Sequence, residues 1–176
     1  MLKMGNIGRG EIDLSKLEYL EDIEDLDSTK LLNEGDLLFN TRNSSELVGK
    51  VCLWDGTFPN TTFNSNILKI TFSKKVSNKY MNYLFNSKSI LDALRLTSKG
   101  TTNVSAIYFK DLSEIYFPIA PREEQVTIIK TLNDRLELIG NIIDSEERRV
   151  RLFLEYRQSL ISSVVTGQVR VTEDMV

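Results

Sequence analysis

The C-terminal third of the chain carries an apolar repeat that limits what it can fold into. Steps of three and four residues from position 129 to position 164 pass through eleven positions, nine of them apolar. A period of 3.5 residues is typical of helices that pack lengthwise against other helices. The seam residues are Ile129, Leu132, Leu136, Ile139, Ile143, Glu146, Val150, Phe153, Arg157, Leu160 and Val164. Pro121 with Glu123 and Glu124 predicts the start of this helix, and Gly167 predicts its end.

A helix over 122–166 would be roughly 65 Å long at ~1.5 Å per residue. The roughly 120 residues before it cannot cover that length by themselves. The seam must therefore be covered by a second copy of the chain, by another subunit, or by a fold-back of the helix at Gly140. Further apolar residues widen the stripe, which suits a bundle of more than two helices or a helix that also leans on the domain.

Two charged residues, Glu146 and Arg157, interrupt the seam near its middle. An antiparallel pair of identical helices that cross near residues 151 and 152 would bring Glu146 of one chain close to Arg157 of the other. Two exposed charges on a kinked helix explain the same pattern equally well.

The first two thirds of the chain predict mixed α+β structure. Short runs rich in β-branched, aromatic and leucine residues, bounded by polar residues or glycine, predict strands. These runs are 36–39, 47–53, 66–72 and 115–118. Gly35-Asp36 predicts a turn into the first strand. Over 78–96 the apolar residues recur at helical spacing, and Gly100 is predicted to end that stretch.

The chain lacks most residue types that make or break bonds. It has no histidine, which removes the commonest general base and metal ligand. Its one cysteine, Cys52, lies in an apolar run and is predicted to be a small buried hydrophobic residue. The acidic segment 21–27 matches no calcium-loop spacing and is predicted to be a solvated stretch. No catalytic residue, metal or cofactor is therefore predicted for this chain.

The bulk composition indicates where such a chain works. No apolar run approaches the ~20 residues of a membrane span. The first residues lack the apolar stretch of a signal peptide, and one cysteine allows no internal disulfide. These features predict a cytoplasmic protein with no membrane partner.

Charge is strongly segregated along the chain, although the net charge is only −3. Residues 11–36 hold ten acidic and two basic residues, whereas residues 68–110 hold eight basic residues and one acid, Asp92. Such a local excess of positive charge can form an attractive surface for phosphates. A solvated helical face is the alternative interpretation.

Two polar segments have the composition of recognition loops. The segment 39–46 offers Arg42, Asn43 and Ser44, and the segment 97–105 offers Lys99, Thr101 and Asn103 around Gly100. Arginine can bind guanine edges, asparagine can bind adenine edges, and hydroxyls can bind phosphates. Ordinary surface loops are the alternative for each segment.

Several segments together resemble a known family. Residues 35–50 resemble the central motif of type I restriction-modification specificity subunits, as do Asn103-Val104-Ser105 and the run 115–125 with its proline-Glu-Gln helix entry. The ending Arg-Gln-x-Leu-Ile-x-x-Val-Val-Thr-Gly at 157–167 is similar to the conserved helix of that family. Residues 4–7 also resemble a segment of its target recognition domain.

The resemblance implies an α+β target recognition domain over 1–120, a conserved spacer and dimerisation helix over 121–167 that resembles a coiled coil, and a tail over 168–176. In the family, these subunits give sequence specificity to a complex that recognises double-stranded DNA. Separate modification subunits bind S-adenosylmethionine and methylate adenine, so no cofactor is expected on this chain. Restriction subunits that translocate and cut are a further partner in the family. The spacer helices pack antiparallel and dock the modification subunits.

The chain departs from the family pattern in two ways. Family members usually have two recognition domains and two spacer helices, whereas this sequence resembles one of each. A homodimer with antiparallel helices would restore the pattern and would recognise a split, palindromic target. The recognition domain also begins some way inside the family pattern. A natural half-size subunit, a fragment of a longer chain, and a remnant whose helix still pairs all fit these departures.

The sequence therefore predicts a non-catalytic DNA-recognition subunit of a methyltransferase complex. The expected DNA contacts are Arg42, Asn43, Ser44, Lys74, Lys75, Lys79, Lys99, Thr101 and Asn103. The expected dimer and partner interface comprises Ile129, Leu132, Leu136, Ile139, Ile143, Val150, Phe153, Arg157, Leu160 and Val164. A helical assembly scaffold that does not itself read DNA is the alternative, and an enzyme ranks third.

Overall fold

The computed structural model describes residues 1–20, 28–101 and 103–172. The chain divides into two compact units, Met1–Ile129 and Lys130–Val176. The first unit combines short strands and helices, and the second contains most of one long helix. This combination confirms the predicted α+β class with a long C-terminal helix.

A three-stranded antiparallel sheet forms the centre of the first unit. In chain order the strands are β1 (Leu37–Asn40), β2 (Arg42–Asn43), β3 (Val51–Leu53), β4 (Ile67–Ile70), β5 (Lys99–Gly100) and β6 (Ser105–Ala106). Strand β1 lies between β3 and β4, with Leu37 opposite both Leu53 and Ile70. All four residues of β1 are buried. The strands predicted over 36–39 and 66–72 are thus confirmed, with shorter ends.

Helices cover one side of this sheet. They are α1 (Asn78–Phe85), α2 (Lys88–Thr97) and α3 (Phe109–Ser113). The last helix, α4 (Arg122–Val165), begins in the first unit and makes up most of the second. The helical stretch predicted over 78–96 is two helices, because the chain takes extended geometry at Ser87, the N-cap of α2. At the break, the Asn86 side chain donates hydrogen bonds to the carbonyl oxygens of Val51 (3.2 Å) and Asn82 (2.8 Å). Helix α2 ends at Thr97, three residues before the predicted stop at Gly100.

Two strand predictions are wrong in part or in whole. The strand predicted over 47–53 begins only at Val51, because residues 45–49 form a turn in which Gly49 has a φ of +75°. Residues 115–118, all of them described, form no strand. Ile115 and Phe117 pack against the core while Tyr116 is 96% exposed, so alternate burial imitates a strand there. Pro118 lacks the N–H that a ladder would need.

The long helix α4 starts from a buried amide. Gln125 is 1% exposed, and its Oε1 accepts a hydrogen bond from the backbone N–H of Ser77 (2.9 Å). Its Nε2 donates to the carbonyl oxygens of Ala120 (2.8 Å) and Lys75 (3.2 Å). Ile128 and Ile129 add apolar contacts to the core. One polar side chain therefore ties the first turn of α4 to the segments before α1 and before α4 itself.

Helix α4 runs for 44 residues and continues through Gly140 without interruption, so the fold-back considered at Gly140 is not present. At ~1.5 Å per residue it is about 66 Å long. The seam side chains beyond its first turns remain exposed: Leu136 (49%), Ile139 (51%), Ile143 (51%), Val150 (57%), Phe153 (62%) and Leu160 (45%). Leu132 and Val164 are half-buried, Arg157 is exposed, and Ile129 packs on the core of the first unit.

We expect Gln125→Ala to lower the free energy of unfolding by about 1–3 kcal/mol, because it leaves the Ser77 N–H and two carbonyl oxygens without their partner in a dry site. Urea denaturation of the purified chain measures this loss. Glu124→Ala is the matched control, since Glu124 is exposed on the same helical turn. Its expected effect is within about 0.5 kcal/mol. A Gln125→Ala protein as stable as the control would contradict this account of the helix start.

Candidate nucleic-acid interface

A second small sheet brings together the two segments predicted as recognition loops. Its strand order is β2-β6-β5, all antiparallel. Arg42 and Asn43 pair with Ala106 and Ser105, and these pair in turn with Lys99 and Gly100. The ladder continues by one residue toward the main sheet, where the Ile107 N–H donates to the carbonyl oxygen of Thr41, the residue between β1 and β2 (2.9 Å). Segments about sixty residues apart in sequence thus form one surface.

The register places two cations on one face of this sheet. Arg42 and Lys99 both lie opposite Ala106, and directly paired residues project to the same face. Two strand spacings separate their backbones by roughly 10 Å. Both residues are exposed, whereas Ala106 between them is buried and short. The result is a shallow polar surface with a positive charge on either side.

Tight hydrogen bonding shapes the turn from β5 to β6. The Thr101 N–H donates to the carbonyl oxygen of Val104 (2.8 Å), and the Ser105 hydroxyl donates to the carbonyl oxygen of Thr101 (2.8 Å). Gly100 has a φ of +139°, and a Cβ there would lie 2.2 Å from the carbonyl oxygen of Val104. Asn103 is exposed at the tip, while Thr102 lies outside the described residues. Only glycine therefore lets the backbone at position 100 come so close to the carbonyl oxygen of Val104.

The polar groups of the surface differ in how far they are already engaged. Arg42 is exposed, and among the described ion pairs none involves its guanidinium. The Asn43 Oδ1 accepts a hydrogen bond from the Ser44 N–H (2.9 Å), which fixes the amide and leaves its NH₂ group as donor. The Lys99 ammonium is held by both carboxylate oxygens of Asp111, at 2.6 and 2.8 Å. Arg42 is thus the more available cation of the two.

The predicted lysines of the basic stretch lie elsewhere. The chain leaves β4 at Ile70, at the end of the sheet where β1 begins, whereas β2 follows the other end of β1. Lys74 and Lys75 lie on that first side, next to the start of α4, where the Arg122 guanidinium donates to the carbonyl oxygen of Lys74. All of these lysines, including Lys79, are exposed. Strand β1 therefore separates Lys74 and Lys75 from the exposed surface of the β2-β6-β5 sheet, which is called the Arg42 surface below.

Lys79 has acidic neighbours. It borders an open cleft that is also lined by Glu11, Glu34 and Asp55. A lysine among three carboxylates contributes little net positive charge to a surface. Its position is therefore less suited to a phosphate than the positions of Lys74 and Lys75.

Sequence reasoning missed the aromatic residues beside Arg42. Tyr108 is 55% exposed and Phe109 is 70% exposed, and both line an open cavity with Arg42, Ser65 and Asn66. Within the run Ile107-Tyr108-Phe109, the apolar composition alone indicates burial, yet only Ile107 is buried. No local signal distinguishes the three residues.

The remaining candidate groups are the single cysteine and the acidic side chains. Cys52 is fully buried, and burial, followed by the nearby charge of Asp55, raises the pKa of its thiol to about 12. The prediction that Cys52 is a small buried residue is confirmed. Within the described ranges, no group of three or more acidic or cysteine side chains is placed to hold a metal ion. The acidic segment 21–27 lies outside those ranges.

Among the described residues, none of the helices has an apolar stretch long enough to cross a membrane.

Comparison with known proteins identifies relatives over most of the chain. Residues 2–148 match the family model described as the type I restriction modification DNA specificity domain. A protein of Methanocaldococcus jannaschii named as a type I restriction enzyme MjaX specificity subunit is 34% identical over 142 residues, which are 80% of this chain and 33% of that protein. The type I restriction enzyme EcoKI specificity subunit of Escherichia coli is 26% identical over 173 residues, which are 97% of this chain and 36% of that protein.

The chain belongs to the type I restriction modification DNA specificity domain family, since the family model covers most of its length. The resemblance drawn from its motifs is thereby confirmed. So is the prediction of a specificity component in place of an enzyme. The chain spans about a third of the length of the curated relatives it matches.

We expect Gly100→Ala to lower the free energy of unfolding by about 1–3 kcal/mol, because an L side chain at this φ is strained and its Cβ meets the carbonyl oxygen of Val104. Urea denaturation measures the loss. Hydrogen exchange at the Thr101 amide, which should lose protection, locates it.

Gly140→Ala is the matched control for this substitution. Gly140 lies inside α4, and a Cβ there meets nothing within 4 Å. Alanine is the better helix former, so we expect a gain of about 0.5–1 kcal/mol. Effects of the same sign at both positions would contradict the strained turn.

Proposed function

We propose that this chain is the DNA sequence-recognition component of a type I restriction-modification complex. It acts without catalysis and directs modification and restriction subunits to a split target site in double-stranded DNA. The observation that carries the proposal is the β2-β6-β5 sheet, which joins two polar segments distant in sequence into one surface with an available arginine. Family membership supports the same conclusion.

The surface has groups that suit base edges in a groove. The guanidinium of Arg42 presents paired donors that match the two acceptors of guanine, and the Asn43 and Asn103 amides suit adenine. Each good base contact discriminates by about 1–3 kcal/mol. Ser44, Thr101 and Lys99 suit phosphate and sugar contacts, with Lys99 exchanging Asp111 for a phosphate. Lys74 and Lys75 lie a strand length away, where they suit phosphates farther along the duplex.

The other proposed partners follow from the division of labour in type I systems. Modification subunits supply S-adenosylmethionine and methylate adenine, and restriction subunits act on the same assembly. The relatives are named as specificity subunits of restriction enzymes, which supports a role within such an assembly. Because DNA and these subunits meet in the cytoplasm, we place the chain there.

The exposed seam of α4 supports a homodimer. Two rows of the helix away from the seam are entirely polar: Asp134, Asn141, Arg148, Glu155 and Ser162 in one, and Lys130, Glu137, Asp144, Arg151 and Gln158 in the other. A long helix with one polar and one apolar side buries the apolar side against a partner. Antiparallel pairing of two copies gives a twofold axis, which matches a split palindromic site.

A helical scaffold that reads no DNA is the second candidate. The exposed apolar side of α4 favours it, since assembly through that side requires nothing of the β2-β6-β5 sheet. The two candidates differ in what a change at Arg42 does.

We expect Arg42→Gln to weaken binding of the assembled complex to its methylation target about 5- to 150-fold, because a bidentate base contact is lost. Binding to an unrelated duplex should change much less, since a base contact contributes little there. Fluorescence anisotropy at fixed salt measures both affinities. The target sequence comes from mapping methylated adenines in cells with and without the protein.

Arg148→Gln is the control for this variant. It removes the same charge, but from a polar row of α4 and not from the β2-β6-β5 sheet. Equal affinities of Arg42→Gln, Arg148→Gln and the wild type for the target would overturn DNA reading by this surface. If the complex still assembled, the scaffold candidate would stand.

For the dimer, we expect the chain to have a solution mass of twice 20.1 kDa. Ile143→Glu should convert it to a monomer, because it places a charge in the middle of the seam that the dimer would bury. Analytical ultracentrifugation over a range of concentrations measures the mass. Asn141→Glu is the matched control, since it introduces the same charge on the polar row.

The register of the helices has its own test. In the structure, Glu146 pairs with Arg149 of its own helix at 2.9 Å. If Glu146 faces Arg157 of the second copy, Glu146→Arg should weaken the dimer and the added Arg157→Glu should restore it. A mass of 20.1 kDa for the wild type at high concentration would reject the homodimer.

A further inference from the structure

Two aromatic side chains stay exposed although the residues that anchor their backbone are buried. Tyr108 is 55% exposed and Phe109 is 70% exposed, whereas Ile107 before them and Leu112 after them belong to the core of the first unit. The Leu112 N–H donates to the carbonyl oxygen of Tyr108 (2.9 Å), which fixes the backbone from which both rings project. Two rings left in water forgo the free energy of burial, and exposed apolar groups of this kind mark a binding surface.

Tyr108 lies on the same face of the β2-β6-β5 sheet as Arg42. Arg42 is directly opposite Ala106, and the Ile107 N–H continues the ladder by one residue. The chain is still extended at Tyr108, with φ −84° and ψ 151°. Alternate residues of an extended chain project to the same side, so Tyr108 shares the face of Ala106 while Ile107 points into the core. Such a diagonal neighbour lies roughly 7–8 Å from Arg42.

The two rings and Arg42 line one open cavity whose other wall is polar. Ser65 and Asn66 form part of that wall. The Thr41 N–H and the Thr41 hydroxyl both donate to the carbonyl oxygen of Asn66, each at 2.9 Å, which holds the wall against the end of β1. Among the described residues that line the cavity, none carries a carboxylate. A cation, an amide and hydroxyls beside two rings suit an anionic partner that also presents an apolar group.

Double-stranded DNA has this combination of groups. Its phosphates supply the negative charge, and the C5-methyl of thymine is the apolar group among the base edges of the major groove. Because the rings share a face with Arg42, a duplex that brings a base edge to Arg42 also covers the rings. Base pairs are stacked about 3.4 Å apart, so the separation of roughly 7–8 Å corresponds to about two base-pair steps.

We propose that Tyr108 and Phe109 contact the C5-methyl group of a thymine about two base pairs from the base that Arg42 reads. The inference rests on the proposed function, since it gives the same surface a second specificity contact. Arginine and asparagine read donors and acceptors, whereas the rings distinguish thymine from cytosine, which has no methyl group at this position.

The test removes the methyl group from the DNA and the rings from the protein. Because the proposed modification is on adenine, the target contains thymine. Each thymine of the target duplex is replaced in turn by deoxyuridine, and the affinity of the assembled complex is measured by fluorescence anisotropy at fixed salt. We expect the wild type to lose about fourfold at one position, as for one buried methyl group. With Tyr108→Ala and Phe109→Ala combined, the same replacement should have no effect, because the contact is already lost.

Tyr116→Ala is the matched control. It removes an aromatic ring that is 96% exposed, and Tyr116 is not among the described residues that line this cavity. This variant should keep the fourfold effect, and so should Tyr108→Phe, which retains the ring. The melting temperature of every variant is measured, and Phe109→Ala alone carries the comparison if the double variant is destabilised.

Equal effects of deoxyuridine on the wild type and on the double alanine variant would overturn the thymine contact. So would a wild-type complex that tolerates deoxyuridine at every position. Release of the modification subunits from the double variant, seen by gel filtration, would overturn it in favour of a protein-docking surface. Failure of the proposed function is distinguishable, because the wild-type complex would then bind the target and an unrelated duplex equally before any thymine is replaced.

Discussion

Strand β1 is the element on which the rest of the first unit depends. Its residues alternate between two apolar clusters: Leu37 and Phe39 face the cluster that includes Met81 and Phe85, while Leu38 faces the one that includes Leu2 and Trp54. Both edges are paired, and all four residues are buried. A strand with a core on each face and a neighbour on each edge has a fixed register, since a one-residue shift would reverse every side chain.

The candidate interface inherits its order from this strand. Strands β2, β5 and β6 have two residues each, and strands that short form no stable sheet alone. Strand β2 follows β1 after one residue, and the Arg42 N–H donates to the Asn40 side-chain Oδ1 (3.1 Å). Next to β6, the Ile107 N–H donates to the carbonyl oxygen of Thr41, the residue that joins β1 to β2 (2.9 Å). Ile107 is buried in the same cluster as Phe39, which anchors the far side. The polar surface is therefore held by the core although its own residues are exposed.

The sequence predicts the elements with long apolar patterns better than it predicts the two-residue strands. The eleven-position repeat predicted α4 over 122–166, and the helix spans Arg122–Val165. The central strands were found because their runs are apolar on both faces. The β2-β6 pairing could not be predicted, because two residues show no periodicity and the partners lie about sixty positions apart.

Some features of the candidate site could be predicted from the sequence, and others could not. Composition singled out both polar segments as candidates, but only the fold shows that they share one sheet and that Lys74, Lys75 and Lys79 do not lie with them. Gln125 gave no signal either, since glutamine is usually exposed and its burial depends on three backbone groups from other segments.

The geometry at Gly100 also bears on how such a surface can diversify. The backbone at Gly100 leaves no space for a side chain, and Ser105 and Ala106 on the paired strand are buried. Substitutions at the base of the hairpin are therefore expected to destabilise it. The tip is different: the side chains of Asn103 and Val104 are exposed, and among the described hydrogen bonds none involves either side chain. Substitutions at the tip of the hairpin can therefore change what the surface binds while the strands beneath it keep the same structure.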